Sequence, residues 1–188
     1  MIKLQAFAYR NTRAVNRATS SPPERRRDNA YPYSSQECVR GPIHLLVEGN
    51  QNVDSLIYDS SEVSLICWVD LLGAGSNERA FPAAYLASLY KRNGDDFARG
   101  LRGTFAIILY DHLSLTLKGW TDHFGTEKLV YTESPEFFAV ATDLRALHSH
   151  VPSSPGVDPA AIAEYLQYRC IPTPVSYTHL TLPTIYSV

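Results

Sequence analysis

The chain has 188 residues, a typical length for one domain, and its 45% hydrophobic and 19% charged residues are typical of a globular protein. No apolar segment approaches the ~20 residues that a transmembrane helix needs, and the start Met1-Ile2-Lys3-Leu4 does not have the form of a signal peptide. We therefore expect a cytoplasmic protein without membrane contact. Three widely spaced cysteines, Cys38, Cys67 and Cys170, form no C-x-x-C pair, which argues against a disulfide framework and a zinc site.

The positive charge is concentrated near the N-terminus. Residues 1–40 contain eight Lys or Arg and three Asp or Glu, although the net charge of the chain is −2. A basic segment can contact nucleic acid. The cluster Arg25-Arg26-Arg27, however, follows Pro22-Pro23 and has few aromatic side chains nearby that could stack on bases. We therefore expect a solvated loop here and no nucleic-acid partner.

The N-terminal part is predicted to contain short strands separated by irregular segments. Alternating apolar residues predict a first strand that ends near Arg10. Residues 11–42 are rich in Ser, Pro, Asn and Arg and predict a long irregular loop. Three further short strands are predicted at Ile43–Glu48, Ser55–Tyr58 and Val63–Val69.

One helix in the middle of the chain has clear signals. Apolar side chains recur at helical spacing over Glu78–Lys91. Ser76 or Asn77 can cap its start, and Asn93-Gly94 can end it. A further helical turn is predicted over Asp95–Leu101.

The C-terminal part is predicted to contain consecutive strands and then two helices. The strands are Thr104–Tyr110, Ser114–Trp120, Lys128–Tyr131 and Phe137–Ala141, and the helices are Asp143–Leu147 and Asp158–Tyr168. Because strands do not alternate regularly with helices, antiparallel sheets with separate helices are favoured over a parallel, doubly wound sheet. The predicted fold class is α+β.

Two sites with histidine could suggest other chemistry. His148 and His150 lie close together, but a metal needs a third ligand, and only Asp143 is near in sequence. His112 beside Asp111 lies in a predicted hairpin turn, where a solvated pair is expected. No metal site is predicted.

Four motifs occur in order between residues 78 and 175. They are Gly94–Phe97 with Leu101–Asp111, Asp122-His123-Phe124-Gly125 with Leu129–Tyr131, Val140–Leu147, and Asp158–Leu166 with Ile171–Pro174. In this order and spacing they resemble the amidotransferase domain of the asparagine synthetase family, a glutamine amidotransferase type 2 domain. Thr121 and Lys128 depart from the family pattern, which has Arg and Pro at these positions.

Four residues within these motifs are expected to determine the fold rather than the chemistry. Gly103 and Gly125 allow turns that other residues resist, and Phe105 and Leu129 are expected to fill a core. The resemblance implies an N-terminal-nucleophile hydrolase-like fold, a four-layer αββα sandwich of antiparallel sheets. Active members use a cysteine at the mature N-terminus: its thiolate attacks the glutamine amide, its own amine is the general base, and an oxyanion hole stabilises the intermediate.

The sequence has no candidate for this nucleophile. Removal of Met1 would expose Ile2, which has no nucleophilic atom. Cys38 could become N-terminal only after cleavage of a long segment, and the following Val39-Arg40-Gly41 does not resemble the family motif. No catalytic residue is therefore predicted.

The other parts of the glutamine site also depart from the family. By the resemblance, His44 stands in place of the Arg that binds the glutamine carboxylate. Trp68 and Val69 stand in place of the Asn and Gly of the oxyanion hole, and Asn77 in place of the Asp that pairs with the ammonium group. We interpret these four residues as remnants of a degenerate glutamine site.

The resemblance thus implies a glutaminase-like domain without glutaminase activity, at the N-terminal side of an ATP-dependent amide ligase. The chain contains no Ser-Gly-Gly-x-Asp-Ser phosphate loop, so no cofactor is expected in it. ATP and Mg are expected in a following synthetase domain, which would be its partner; a homodimer stays open. Two alternatives also stay open: an active glutaminase whose start is misassigned, and a free-standing binding or scaffold module.

The expected domain organisation has three parts. Residues 1–157 form the amidotransferase-like domain, and residues 158–175 begin the helix and linker towards the synthetase domain. Residues 176–188 are expected to be a non-native tail, because Ser176–Thr184 resembles the translation of a sequencing adapter.

Overall fold

The computed structural model describes residues 2–10, 34–50, 52–73, 75–76, 81–148 and 159–169. Its strands are β1 Lys3–Tyr9, β2 Ser34–Arg40, β3 Ile43–Gly49, β4 Ile57–Asp59, β5 Val63–Leu71, β6 Gly103–Asp111, β7 Thr116–Thr121, β8 Val130–Glu133 and β9 Phe137–Ala141. Its α-helices are α1 Pro82–Asn93, α2 Leu144–His148 and α3 Pro159–Tyr168, and short 3-10 helices cover Asp54–Leu56 and Gly94–Gly100. Among the helices in these ranges, none is long and apolar enough to cross a membrane.

The strands form two sheets, and every pair is antiparallel. Sheet A has the order β2-β3-β1-β9-β8, and sheet B has the order β4-β5-β6-β7. The central strand of sheet A is therefore the first one in sequence. The predicted antiparallel α+β fold is confirmed.

The sheets pack face to face, and helices cover their outer faces. Leu4 and Ala6 of β1 point into a core between the sheets, which they share with Ile66 and Ile108 of sheet B. On the outer face of sheet B, side chains of β5, β6 and β7 pack against α1 and the following 3-10 helix. On the outer face of sheet A, those of β1 and β9 pack against Leu147 of α2. The resulting layers are α1, sheet B, sheet A and α2, which confirms the four-layer sandwich.

The local signals for α1 are confirmed at its end and differ at its start. Gly94 adopts a φ of 59°, and its N–H bonds to the carbonyl of Tyr90, so Asn93-Gly94 ends the helix as predicted. The helix begins at Pro82, a residue suited to the first turn, and Phe81 provides no side-chain cap. The predicted cap Asn77 lies outside the described residues.

Two predictions in the N-terminal part are wrong. Residues 34–40, predicted as loop, form β2, which pairs with β3 along its whole length. None of the seven β2 residues is buried, so the strand has no apolar alternation to reveal it. In the predicted strand Ser55–Tyr58, the first residues form a 3-10 helix and only Ile57–Asp59 is extended.

The sandwich has two distinct ends. At what we call the front end, β1 begins and β3 ends, since Lys3 pairs with Glu48. Residues 122–129 connect β7 of sheet B to β8 of sheet A at the same end. The front end of sheet B is therefore where β5 and β7 end and β6 begins. The rear end holds the end of β2, all of β4 and the turn after β6.

Candidate functional site

The front end is where the side chain of residue 2 enters the sandwich. Ile2 packs against the core between the sheets. It lies so close to β3 that a β-carbon built on Gly49 would stand 3.0 Å from its Cγ1 atom and 3.3 Å from Cγ1 of Val53. An apolar side chain therefore fills the space between the start of β1 and the end of β3.

Trp68 and Val69 lie near the front end of β5 but on opposite faces of sheet B. Trp68 pairs with Ala106 in the β5–β6 ladder and packs, partly exposed, against the core between the sheets. Val69 packs against the core beneath α1. Of these two residues, only Trp68 shares a core with Ile2.

His44 lies at the rear end of sheet A. It pairs with Phe7 on β1, five residues from Ile2 along the strand, a separation of about 16 Å at 3.2–3.4 Å per residue. Its ring lies 6.0 Å from that of Phe7, and Nε2 is 3.2 Å from Oε2 of Glu37. The structure thus brings Ile2 and Trp68 into one core, but not His44 or Val69. The role of these residues as remnants of a glutamine site stays a prediction.

The described part of the chain has two cysteines, and both lie inside strands. Cys67 of β5 is fully buried, and burial raises the pKa of its thiol. Burial and the neighbouring Asp59 carboxylate raise the pKa of Cys38, in β2, to about 11. Both thiols are therefore protonated at neutral pH and are poor nucleophiles. The third cysteine, Cys170, lies outside the described residues.

The loop that closes the front end is organised by Asp122. Its Oδ1 accepts hydrogen bonds from the N–H groups of Phe124 and Thr126, both at 3.1 Å, and from the Thr126 hydroxyl at 3.0 Å. Its Oδ2 accepts one from the N–H of Glu127 at 3.3 Å. Burial opposes ionisation of Asp122, but these hydrogen bonds outweigh it and lower the pKa of the carboxyl. The motif that begins at Asp122 thus fixes a turn, with Gly125 at a φ of 60°.

A polar cluster that the sequence does not predict lies at the rear end. Ser64, fully buried on β5, donates its hydroxyl proton to Oδ1 of Asp59 at 2.5 Å, and its Oγ lies 2.7 Å from Nε2 of His112. Arg40 donates to the same carboxylate through Nε at 3.0 Å and through Nη2. Burial and the Arg40 charge lower the pKa of His112. We call Cys38, Arg40, Asp59, Ser64 and His112 the rear cluster.

The rear cluster corrects the prediction of a solvated His112–Asp111 pair. His112 contacts Ser64, and Asp111 instead accepts a 2.8 Å hydrogen bond from the Tyr90 hydroxyl. The cluster joins residues from four separate elements, so no spacing in the sequence could have revealed it. Nowhere in the described ranges do three His, Cys, Asp or Glu side chains stand close enough to hold a metal ion. His150 lies outside those ranges, and the position of the His148 side chain is not described.

Comparisons with known proteins identify one family. A sequence profile of the glutamine amidotransferase domain family matches residues 83–183, more than half of the chain. The match covers β6 to β9 and reaches into residues 176–188, the segment predicted as a non-native tail. A search of curated proteins found no match.

One solved structure with partial similarity is a glutamine phosphoribosylpyrophosphate amidotransferase from B. subtilis in complex with ADP and GMP. It superposes with a TM-score of 0.42 at 19% sequence identity over 58% of this chain. The superposed part spans 29% of the length of that enzyme.

Proposed function

The chain belongs to the glutamine amidotransferase domain family, and we propose that it is a member without glutaminase activity that serves as the N-terminal domain of an ATP-dependent, asparagine-synthetase-like amide ligase. The main support for the proposed lack of glutaminase activity is the location of the two described thiols. A nucleophilic cysteine of this type must be exposed, deprotonated and at the N-terminus of a chain. Cys67 is fully buried at the centre of sheet B, and Cys38 lies within a strand.

Proteolytic processing does not rescue Cys38 as the nucleophile. A cut before Cys38 would separate β1 from the rest of the chain. β1 is the central strand of sheet A and pairs with β3 on one side and β9 on the other. Cys38 would also remain at the edge of the sheet, with its side chain directed at Asp59 and Ser64 of the rear cluster.

The chemistry of the front end supports the same proposal. Attack on an amide carbonyl needs hydrogen-bond donors aimed at the oxygen that becomes negative. At the front end, Ile2 and Leu129 contribute only aliphatic groups to the core between the sheets, and Trp68 adds a large aromatic surface. Apolar packing of Ile2, Trp68 and Leu129 at this end therefore stabilises the sandwich, and these three side chains offer no charged group to a substrate.

The ligase part of the proposal depends on the motifs and on chemistry that this chain lacks. The four motifs resemble the asparagine synthetase family from residue 94 to residue 174. A Ser-Gly-Gly-x-Asp-Ser loop is absent from the sequence, so ATP and Mg would bind to a separate synthetase domain. In such an enzyme the amidotransferase-like domain supports the synthetase domain, which activates a carboxylate.

Ammonia release from glutamine tests the loss of activity. We expect the purified chain to release no ammonia above the buffer background, before and after treatment with a thiol-alkylating reagent. The matched variant is Ile2→Cys, prepared with the initiating Met removed so that the cysteine is N-terminal. We expect no gain of activity in this variant because, by the family resemblance, Trp68 and Val69 also replace the Asn and Gly of the oxyanion hole. Ammonia release by the unmodified chain that alkylation abolishes would establish an active glutaminase instead.

The coding DNA downstream of residue 175 tests the ligase context. A Ser-Gly-Gly-x-Asp-Ser motif there, together with ATP–pyrophosphate exchange that depends on a carboxylate and Mg²⁺ in the full-length protein, would support the amide ligase. A stop codon near residue 175 would support a free-standing scaffold module. These outcomes are independent of the ammonia assay, so the two parts of the proposal can fail separately.

A further inference from the structure

The edge strand β2 is attached to sheet B by polar contacts. Among the strands in the described ranges, β3 is its one partner in sheet A. Nε2 of Gln36 donates to Oδ1 of Asp54 at 2.6 Å, ahead of β4, and Arg40 binds both carboxylate oxygens of Asp59 in β4. Because no β2 residue is buried, little apolar surface holds this strand. Segments with few buried apolar contacts open at low free-energy cost, so β2 depends on its ladder with β3 and on these polar contacts, and loss of the polar contacts should make opening of the ladder easier.

Two basic side chains share the carboxylate of Asp59. Arg40 contacts it directly, whereas His112 reaches it through the Ser64 hydroxyl. A hydroxyl has one proton, and Ser64 gives it to Asp59, so Nε2 of neutral His112 must donate to Ser64. The next proton therefore binds at Nδ1 and makes the imidazole a cation near Arg40.

The surroundings of His112 contain charges of both signs. Its backbone N–H donates to the carbonyl of Glu62 at 2.8 Å, while the Glu62 carboxylate pairs with Lys91 at 2.6 Å. Its ring contacts Tyr110 edge-on, at 5.0 Å between centroids. The titratable groups that face it are Cys38 and Arg40 on β2, Asp59 on β4, and Tyr110 and Asp111 on β6.

We propose that the rear cluster is an acid-sensitive latch, in which the positive charge of protonated His112 weakens the ion pair between Arg40 and Asp59 and thereby loosens β2 from sheet B. Protonation of His112 and the ion pair between Arg40 and Asp59 oppose each other because the positive charges of Arg40 and protonated His112 repel. By reciprocity, a contact that disfavours protonation of His112 is itself weakened when His112 becomes protonated. Ser64 remains bonded to both His112 and Asp59, so the rearrangement requires movement of Arg40 and β2 only.

The direction of the pH effect follows from the latched geometry. Burial and Arg40 lower the pKa of His112 below its ordinary value of 6.5 while β2 is latched. Released β2 takes Arg40 away, so the pKa of His112 is higher in the released state. The latched state is therefore favoured at a pH above the pKa that His112 has in the released state, and it loses that advantage as the pH falls towards the lowered pKa of the latched state.

NMR titration of the histidine rings tests the coupling. We expect Arg40→Gln to raise the pKa of His112, and Arg40→Lys, which keeps the charge, to leave it nearer the wild-type value. Arg10→Gln is the matched control, because Arg10 bonds to Glu133 outside the rear cluster. An unchanged pKa of His112 in Arg40→Gln, or a wild-type pKa of His112 at or above 6.5, would overturn the proposal.

Hydrogen exchange tests the release of β2. Between pH 7.5 and 5.5, protection factors of the amides in the β2–β3 ladder should fall about threefold or more, while those of the β5–β6 ladder stay constant. This pH-dependent decrease in protection should be absent in His112→Asn. It should persist in His44→Asn, which is the control because His44 contacts Glu37 of β2. A fall of the same size in His112→Asn, or no fall in the wild-type protein, would contradict the latch.

Discussion

Asp70 and Gly103 approach each other so closely at the front end of the β5–β6 pair that no side chain fits between them. A β-carbon built on Gly103 would stand 2.1 Å from the carbonyl oxygen of Asp70, and Gly103 has a φ of 123°. Both the contact and the backbone conformation exclude other residues, which explains the glycine in this motif.

Gly103→Ala should therefore destabilise the protein by about 3 kcal/mol or more, since either β5 or β6 must shift. Urea titration measures the loss. Gly100→Ala is the control, because a β-carbon there meets nothing within 4 Å and the φ of Gly100 is not positive. Equal midpoints for the two variants would show that the close approach to Asp70 is not a constraint.

Phe105 provides a test of the core beneath α1. It is 2% exposed, on β6, in the core that sheet B shares with α1. Phe105→Ala should lower the free energy of unfolding by about 3–5 kcal/mol, because it removes a large buried side chain. The control Phe124→Ala removes a ring that is 90% exposed and should change stability by about 0.5 kcal/mol or less. A near-wild-type urea midpoint for Phe105→Ala would contradict the burial of β6.

The strands and turns with strong local signals could be predicted from the sequence. The strand Phe137–Ala141 was predicted with its observed bounds, and the apolar segment Thr104–Tyr110 forms the middle of β6. Buried strands reveal themselves because both of their faces need apolar residues. Strand β2 could not be predicted, since none of its residues is buried and they show no apolar periodicity, so that its extended form is evident only from its pairing with β3.

The candidate sites were less predictable than the fold. The family motifs predicted the turn at Asp122 and the buried Leu129, because these residues determine the structure locally. His44 was assigned to a glutamine site from the family resemblance alone, and this assignment stays a prediction; in the structure His44 pairs with Phe7, towards the rear end of β1. The rear cluster depends on the packing of β2 against β4, a long-range contact that sequence spacing does not encode.

Asp122 should make the front loop sensitive to acid. Its hydrogen bonds lower its pKa below the ordinary value of 3.8, so their stabilisation is present above about pH 4 and is lost as the pH falls through the lowered pKa. Asp122→Asn should cost about 1–3 kcal/mol at pH 7, since an amide replaces a carboxylate that accepts four hydrogen bonds. Urea titrations at pH 7 and pH 3 should show that the difference in the free energy of unfolding between Asp122→Asn and the wild-type protein is smaller at pH 3.

Asp96→Asn is the control for this experiment, because Asp96 is exposed and pairs only loosely with Arg99 at 3.3 Å. Its effect on stability should be within about 0.5 kcal/mol at both pH values. If Asp122→Asn lowers the free energy of unfolding as little as Asp96→Asn does, or by the same amount at both pH values, the carboxylate does not organise the loop.

The two described thiols should differ in how they become accessible to an alkylating reagent. Cys67 is fully buried beneath α1, so its modification requires unfolding of sheet B. Cys38 is only partly buried, on an edge strand, so local opening of β2 should expose it. In a Cys170→Ser background at pH 8, Cys38 should therefore react faster than Cys67, as measured by mass spectrometry of the labelled peptides.

Both rates should nevertheless be well below that of an unfolded thiol. With the pKa of Cys38 raised to about 11, only about one folded molecule in a thousand carries a Cys38 thiolate at pH 8. Urea concentrations below the unfolding midpoint should increase the alkylation rate of Cys38 less than that of Cys67, because local opening exposes less surface than global unfolding does. Equal urea dependence of the two rates would mean that β2 opens only when the whole sandwich unfolds.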